Sequence, residues 1–280
     1  MEFIDRLKEN PEITVIVPAF NAAGSIRACI DSILSQKFAD FELIIIDDGS
    51  TDGTFEICSE YSYEDPRVMV FYQPNQGVSA ARNNALDRAT GEWVAFCDAD
   101  DTADPEWLSR LAEHRESANL LIIGDKTVIK TASGPKTRYA GIVEDDVFVD
   151  KIHLISDLVK KKLFANVWNK LFNLDIIRKY NIHFDKLLNV FEDELFVLTY
   201  LKYVDIVIVT SDYSYSYNLP ENYQVKYRDV NLIQFHKIID KIYEIVGEDP
   251  NKTIHLPEVL YWYSVALQHF VRHHSYEESV

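Results

Sequence analysis

Three carboxylates crowd into one short run, Asp98, Asp100 and Asp101 of CDADD, directly after the apolar segment WVAF. Like charges this close raise each other's proton affinity, so such a cluster is costly without a cation. Hard divalent ions such as Mg²⁺ and Mn²⁺ take oxygen ligands and are often held by one or two carboxylates plus substrate phosphates. Asp98 and Asp100 are therefore a candidate metal clamp on a diphosphate, and which neighbour in the run does what stays open. A solvent-exposed acidic turn is the usual reading of an isolated D-x-D; the position at a strand end weighs against it. Asp104, followed by Pro105, reads instead as a helix N-cap with proline at the first helical position.

Asp47 and Asp48 follow another apolar run and open the turn DDGSTDG. A carboxylate there can accept hydrogen bonds from the N–H of a base or from ribose hydroxyls. Ser50, Thr51 and Asp52 read as a turn with Asp52 capping the next helix, whereas Asp48 is favoured as a ligand. Arg82 falls in the first two turns of a helix opened by Gly77–Ala81. That helix N-terminus favours anions, so Arg82 could reach a diphosphate; a surface arginine is the even alternative. Glu192, Asp193 and Glu194, in NVFEDELF, read on their own as acidic residues favoured by a helix dipole. The stretch PAFNAAGS, Pro18 to Ser25, reads on its own as a strand exit and a helix start. It has no GxGxxG, and GxxxxGK[ST] occurs nowhere in the chain, so neither a dinucleotide fingerprint nor a P-loop is signalled. The histidines show no metal-ligand spacing.

The elements that must position these residues alternate over the first 125 positions. Ile13–Val17, Phe41–Ile46, Val68–Tyr72, Trp93–Cys97 and Leu120–Ile123 read as strands. Helical patterns lie between them, around Ile26, Ile30, Ile33 and Leu34, around Phe55, Ile57 and Cys58, and over Gly77–Ala89. This spacing implies βαβ units and a mainly parallel sheet with flanking helices. Ligands of such a sheet sit outside the carboxyl ends of the strands, which points to the loops after Val17, Ile46, Tyr72 and Cys97. After residue 125 the rhythm breaks. KTASGPKTRYAG reads as a loop or irregular hairpin, Ile152, Ile155, Leu158 and Val159 as a helix, and 205–217 as a half-exposed strand. Residues 229–246 and 256–272 read as two long helices. The expected organisation is a nucleotide-binding half (1–125), an acceptor-side half (126–222) and a helical C-terminal extension (223–280).

Composition bounds the rest. The 280 residues suffice for one large α/β domain. A net charge of -17 repels phosphate backbones, so nucleic acid is not an expected partner. It also repels anionic bilayers, apart from local patches such as Lys160, Lys161 and Lys162. Cys29, Cys58 and Cys97 are odd in number and embedded in apolar segments, which reads as buried reduced thiols. No secretory signal pattern opens the chain, and no apolar run reaches the ~20 residues that span a bilayer. The expectation is a cytoplasmic protein, with peripheral attachment at the inner face of a membrane left open.

The segments ITVIVPAFNAAGSIRACIDSILSQKFADFELIIIDDGSTDGT and NQGVSAARNNALDRATGEWVAFCDADD together resemble family 2 glycosyltransferases of the GT-A fold. The likeness is dense over residues 12–125. NVWNKLFNLDIIRKYNIHFDKLLNVFEDELF resembles the bacterial branch that builds polysaccharides and other surface glycans. The resemblance implies an inverting transferase that takes a UDP-sugar donor with Mn²⁺ or Mg²⁺ and passes the sugar to a glycan or glycoconjugate acceptor. It places Pro18, Ala19 and Phe20 on the donor side, the latter two lining the nucleobase, and Asp48 against uracil. Asp98 matches the first carboxylate of D-x-D, near ribose or metal; Asp100 matches the second, on the metal. Asp193 matches the catalytic base, with Glu192 the alternative in the same turn. An ordinary aspartate, with a reference pKa of about 3.9, is ionised at neutral pH and needs no tuning for that task. Trp168 and Lys170 match a local pattern to which no role is attached. The competing readings are a metal-dependent sugar nucleotidyltransferase and a non-catalytic sugar-nucleotide-binding protein. The first usually carries a glycine- and lysine-rich loop after its first strand, which PAFNAAGS is not; intact Asp48, Asp98, Asp100 and Asp193 weigh against the second.

Overall fold

A computed structural model describes residues 11–220, apart from 143, 149, 150 and 189, together with 236–241 and 244. The first half is a run of βα units: β1 (Ile13–Ala19), α1 (Ile26–Leu34), β2 (Phe41–Asp47), α2 (Thr54–Glu64), β3 (Val68–Tyr72), α3 (Val78–Leu86) and β4 (Trp93–Phe96). β1 and β2 are buried along their whole length, which is why they read as continuous apolar runs. Side chains alternate between the two faces. Ile16, Ile44, Ile46, Val94 and Phe96 enter one core, with Ala81 and Ala85 of α3. Val15, Val17, Leu43, Ile45, Ala95 and Cys97 enter the other, with Cys29 and Ile30 of α1. All three cysteines are buried and free, as expected.

After β4 come β5 (Thr102–Ala103), α4 (Trp107–Ala112), β6 (Leu120–Ile122), β7 (Asp125–Thr131), β8 (Gly134–Ala140) and β9 (Asp146–Phe148). They are followed by α5 (Lys151–Lys160), β10 (Lys170–Asn173), α6 (Leu174–Lys179), α7 (Glu192–Leu201), β11 (Val207–Val209) and β12 (Tyr215–Pro220). The large sheet has the order β3-β2-β1-β4-β10-β6-β11-β9. β10 is antiparallel to both β4 and β6, and β9 is antiparallel to β11; the other pairs run parallel. The mainly parallel α/β architecture is therefore present, and β10 sews the later residues into the middle of the sheet built by the first half. A second sheet, β5-β12-β7-β8, flanks it.

Two expectations need correction. KTASGPKTRYAG is a regular hairpin: β7 and β8 pair in register from Asp125 with Ala140 to Thr131 with Gly134. Residues 205–217 are not one strand. β11 is fully buried in the large sheet, whereas β12 starts at Tyr215 in the small one, with a polar bend between them. The helix expected over 256–272 lies outside the described residues; of that expected over 229–246, residues 236–241 are helical. Among the described residues no helix is long and apolar enough to cross a membrane.

Candidate active site

The loops after β1, β2, β3 and β4 gather at the carboxyl edge of the sheet, because these strands are neighbours and run the same way. The first two loops are stitched together. Asn21 N–H donates to Ser50 Oγ at 2.9 Å, Ala22 N–H to Thr54 Oγ1 at 2.8 Å and Ala23 N–H to Asp52 Oδ2 at 3.0 Å. Asp52 also takes the Thr54 N–H, so it serves the turn and the neighbouring loop, but the N-cap of α2 is Gly53 and not Asp52 as expected. Pro18 and Ala19 are buried at the end of β1, and Phe20 is 51% exposed just beyond them. The Asp48 N–H reaches Ala19 O at 2.8 Å.

Asp48 is buried. Its carboxylate accepts from Gln73 Nε2 at 2.7 Å, from the Gln76 N–H at 2.9 Å and from the Gly77 N–H at 2.8 Å. Here it holds the loop after β3, a structural role that the sequence did not signal. Gly49 makes the approach of that loop feasible: its φ is +78°, and a Cβ would stand 2.7 Å from Asn75 N.

In the DADD turn the three carboxylates part company. Asp101 is buried and accepts from the Tyr215 hydroxyl at 2.7 Å and from the Asn218 N–H at 2.7 Å. It is thus a framework residue, and burial together with Asp98 raises its pKa. Asp98 is partly exposed. Asp100 is exposed, and no donor from another described residue reaches its carboxylate. Desolvation within the turn, with the charge of Asp98, pushes its pKa up. A pair of carboxylates that destabilise each other, one of them unclaimed, fits a hard divalent cation. Among the described residues no group of three or more His, Cys, Asp or Glu is placed to hold a metal, so such an ion would complete its shell with phosphate and water oxygens. Asp104 does not cap α4. The helix starts later, at Trp107, and the Asp104 carboxylate pairs with Lys126 at 2.7 Å.

Arg82, in α3, joins this turn to the start of α7. One guanidinium nitrogen lies 3.0 Å from Asp98 Oδ1; another lies 2.5 Å from Asp193 Oδ1 and 3.6 Å from Glu192 Oε1. The side chain is 4% exposed, with its Cζ 5.2 Å from the Phe184 ring centroid. Burial opposes its charge, and Asp193, Asp98 and Glu192 more than offset that. The charge of Arg82 is thus shared among three carboxylates, and the side chain is not the surface arginine of the alternative reading.

Asp193 and Glu192 stand in the first turn of α7, entered through Phe191 at φ +67°. That left-handed conformation is costly for an aromatic residue, and such strain clusters at functional sites. Desolvation pushes the Asp193 pKa upward, with Arg82 pulling against it and Glu192 and Asp98 adding to the rise. Asp193 is thus not the untuned carboxylate expected from its residue type. Lys170 is buried behind the site. Its ammonium donates to Leu163 O at 2.7 Å, to Asn169 Oδ1 at 2.8 Å and to Asn166 O. Burial lowers its pKa to about 7, against the pull of Asp193, Asp125 and Glu194. Tyr215, Asn218 and the partners of Lys170 were not singled out in the sequence. The alternation YSYSY marked a strand but could not show what it pairs with.

A glycosyl transferase family 2 model matches residues 14–180, from β1 through α6. The chain is 30% identical over 210 residues to the uncharacterized glycosyltransferase EpsJ of Bacillus subtilis (strain 168), covering 74% of this chain and 61% of EpsJ. Its fold is shared with S. aureus TarS (residues 1–349) in complex with UDP, with a TM-score of 0.67 at 23% identity, covering 85% of this chain and 66% of that one. It is also shared with the mannosyltransferase PcManGT of Pyrobaculum calidifontis, in complex with GDP-Man and Mn²⁺, with a TM-score of 0.56 at 17% identity, covering 95% and 80%. The sheet order, the loops at its carboxyl edge and the family match agree: this chain is a GT-A-fold member of glycosyl transferase family 2.

Proposed function

We propose that the protein moves a sugar from a UDP-sugar to a hydroxyl of a glycan, lipid-linked or protein-linked acceptor, with inversion at the anomeric carbon. The observation that carries this reading is the arginine bridge. One guanidinium holds Asp98, at the donor end, and Asp193, at the acceptor end, 3.0 and 2.5 Å from its nitrogens. A single displacement needs those two functions on opposite sides of one reacting carbon. Phe20, exposed at the end of β1, offers a flat face for a base beside Ala19. Asp48 serves that end by holding the loop after β3 and by its remaining acceptor capacity. Asp98 and Asp100 would hold a divalent ion, Mn²⁺ or Mg²⁺, which when bound neutralises charge on the departing diphosphate. Asp193 takes the proton of the attacking hydroxyl, with Glu192 the alternative in the same turn.

The test is turnover with pooled UDP-sugars and candidate acceptors, reading the released nucleotide and the configuration of the new bond by NMR. Release of UDP with an inverted linkage supports the reading. Pyrophosphate release would identify a nucleotidyltransferase, and a retained linkage would overturn single displacement.

A further inference from the structure

Of the three carboxylates in this four-residue turn, Asp101 is taken up by Tyr215 and Asn218, which leaves Asp98 and Asp100 as the pair open to a cation. Their mutual repulsion must be relieved and the turn must be held open. The side chains that hold it come from β12, more than a hundred residues later. Tyr215 donates its hydroxyl proton to Asp101 Oδ2 at 2.7 Å, and the Tyr215 hydroxyl oxygen accepts the Asp98 N–H at 3.1 Å. Asn218 gives its backbone N–H to Asp101 Oδ1 at 2.7 Å and its side-chain amide to the Asp100 carbonyl at 3.2 Å. β12 thus holds Asp98 by its N–H, Asp100 by its carbonyl and Asp101 by its carboxylate. The Asp100 carboxylate is left out of this network.

What fixes Tyr215 is an aromatic slab. Trp168 stacks on the Tyr215 ring at 4.7 Å and 11°, and on the Tyr217 ring at 5.5 Å and 20°. Residues 215 and 217 share one face of β12 because strand side chains alternate. On its other flank Tyr215 meets Trp107 at 5.6 Å. Trp168 itself is buried and sits in the VWNK loop that Lys170 ties down through carbonyls of residues 163 and 166.

We propose that Tyr215, braced by Trp168, and Asn218 are positioning residues for the carboxylate turn: they bind Asp101 and the turn backbone so that Asp98 and Asp100 present a preset pair to a cation. The proposal rests on the reading of Asp98 and Asp100 as the metal-holding pair. It gives the VWNK segment a role in donor binding, although it belongs to the later half of the chain.

The test is calorimetric titration of UDP with Mn²⁺ and with excess chelator, on the parent and on Tyr215→Phe, which keeps the ring in the slab and removes only the hydroxyl. Parent UDP affinity should rise in Mn²⁺. In Tyr215→Phe that rise should shrink by about tenfold or more, the usual cost of removing a partner behind a metal ligand. UDP affinity in chelator should stay within about twofold, because the base-side loops are untouched. Asn218→Ala, at a half-buried position, should act in the same direction with a smaller loss and answers the question if Tyr215→Phe does not fold. Adding Asp101→Asn to Tyr215→Phe should cost less than the two single effects added, since both act on one contact. If the variants melt lower yet keep the full Mn²⁺ effect, Tyr215 and Asn218 serve stability alone and the proposal is overturned. If the parent shows no Mn²⁺ effect, the metal reading fails first and the proposal falls with it.

Discussion

One guanidinium decides the electrostatics of this site. Arg82 is nearly inaccessible and is shared by Asp98 and Asp193, so removing it would leave carboxylates crowded without a counter-charge. Asp193 works as a base only when deprotonated, and its environment raises its pKa to about 8. The sign follows: kcat/KM should climb with pH up to about 8 and level off above it, where an ordinary carboxylate would level off by about 5. Arg82 opposes the rise, so Arg82→Gln should carry the climb to still higher pH. A profile already flat from pH 5 would show that Asp193 is ordinary or is not the base. Asp193→Asn keeps the shape and should lower turnover by roughly two to four orders of magnitude, with UDP binding retained. Full activity in that variant would remove Asp193 from the mechanism. Asp100→Ala should fold like the parent, because its side chain is exposed and leaves no cavity, while losing most turnover. Near-parental rates would detach the metal from Asp100.

At the scale of elements, the proposed base, Asp193, is placed by the packing of α7. Phe196 of that helix stacks on Phe184 at 4.1 Å and meets Phe96 of β4 and Phe172 of β10 edge-on at 6.0 and 5.4 Å. The same aromatic cluster underlies both the strand that ends in the carboxylate turn and the helix that begins with the base. Phe196→Ala should therefore cost about 3–5 kcal/mol in denaturant unfolding and reduce turnover through a displaced Asp193. Unfolding within about 1 kcal/mol of the parent, a small share of the cost of an aromatic core truncation, would show that α7 is held by something else. β1 and β2 were legible in the sequence almost to the residue, because buried parallel strands are unbroken apolar runs, and the edge strand β3 was legible from its own apolar run VMVFY. β7 and β8 were not: Lys, Thr and Pro on an exposed hairpin carry no apolar alternation. Nor was β10, whose KLFN is too short to distinguish from a buried helix segment. The pairing of β12 with β5, which sets Tyr215 beside Asp101, joins residues more than a hundred positions apart, and no local pattern encodes it.

For the whole molecule, the separation of roles among Asp98, Asp100 and Asp101 was illegible for the same reason, although their presence at a strand end was plain. That separation has a consequence for stability. The chain carries a net charge of -17, and the site sets Asp98, Glu192 and Asp193 around one arginine, with Asp100 and Asp101 in the same turn as Asp98. A ligand that binds only the folded state raises stability by mass action, by about 2.7 kcal/mol at a hundredfold excess over its Kd. For a domain of this size each kcal/mol moves the midpoint by roughly 2–4 °C, so saturating UDP with Mn²⁺ should raise Tm by at least about 5 °C. UDP with chelator should raise it far less, because a diphosphate must then approach uncompensated carboxylates. Mn²⁺ alone should shift it slightly, since two carboxylates hold such an ion weakly without phosphate oxygens. The pattern is a synergy: the shift with both exceeds the sum of the separate shifts. Thermal unfolding of the parent and of Asp100→Ala measures it. The synergy should vanish in the variant, whereas any UDP-only shift should survive through the loops held by Asp48. Simple addition of the two shifts in the parent would mean that metal and nucleotide bind apart, and the clamp on the diphosphate would have to be abandoned.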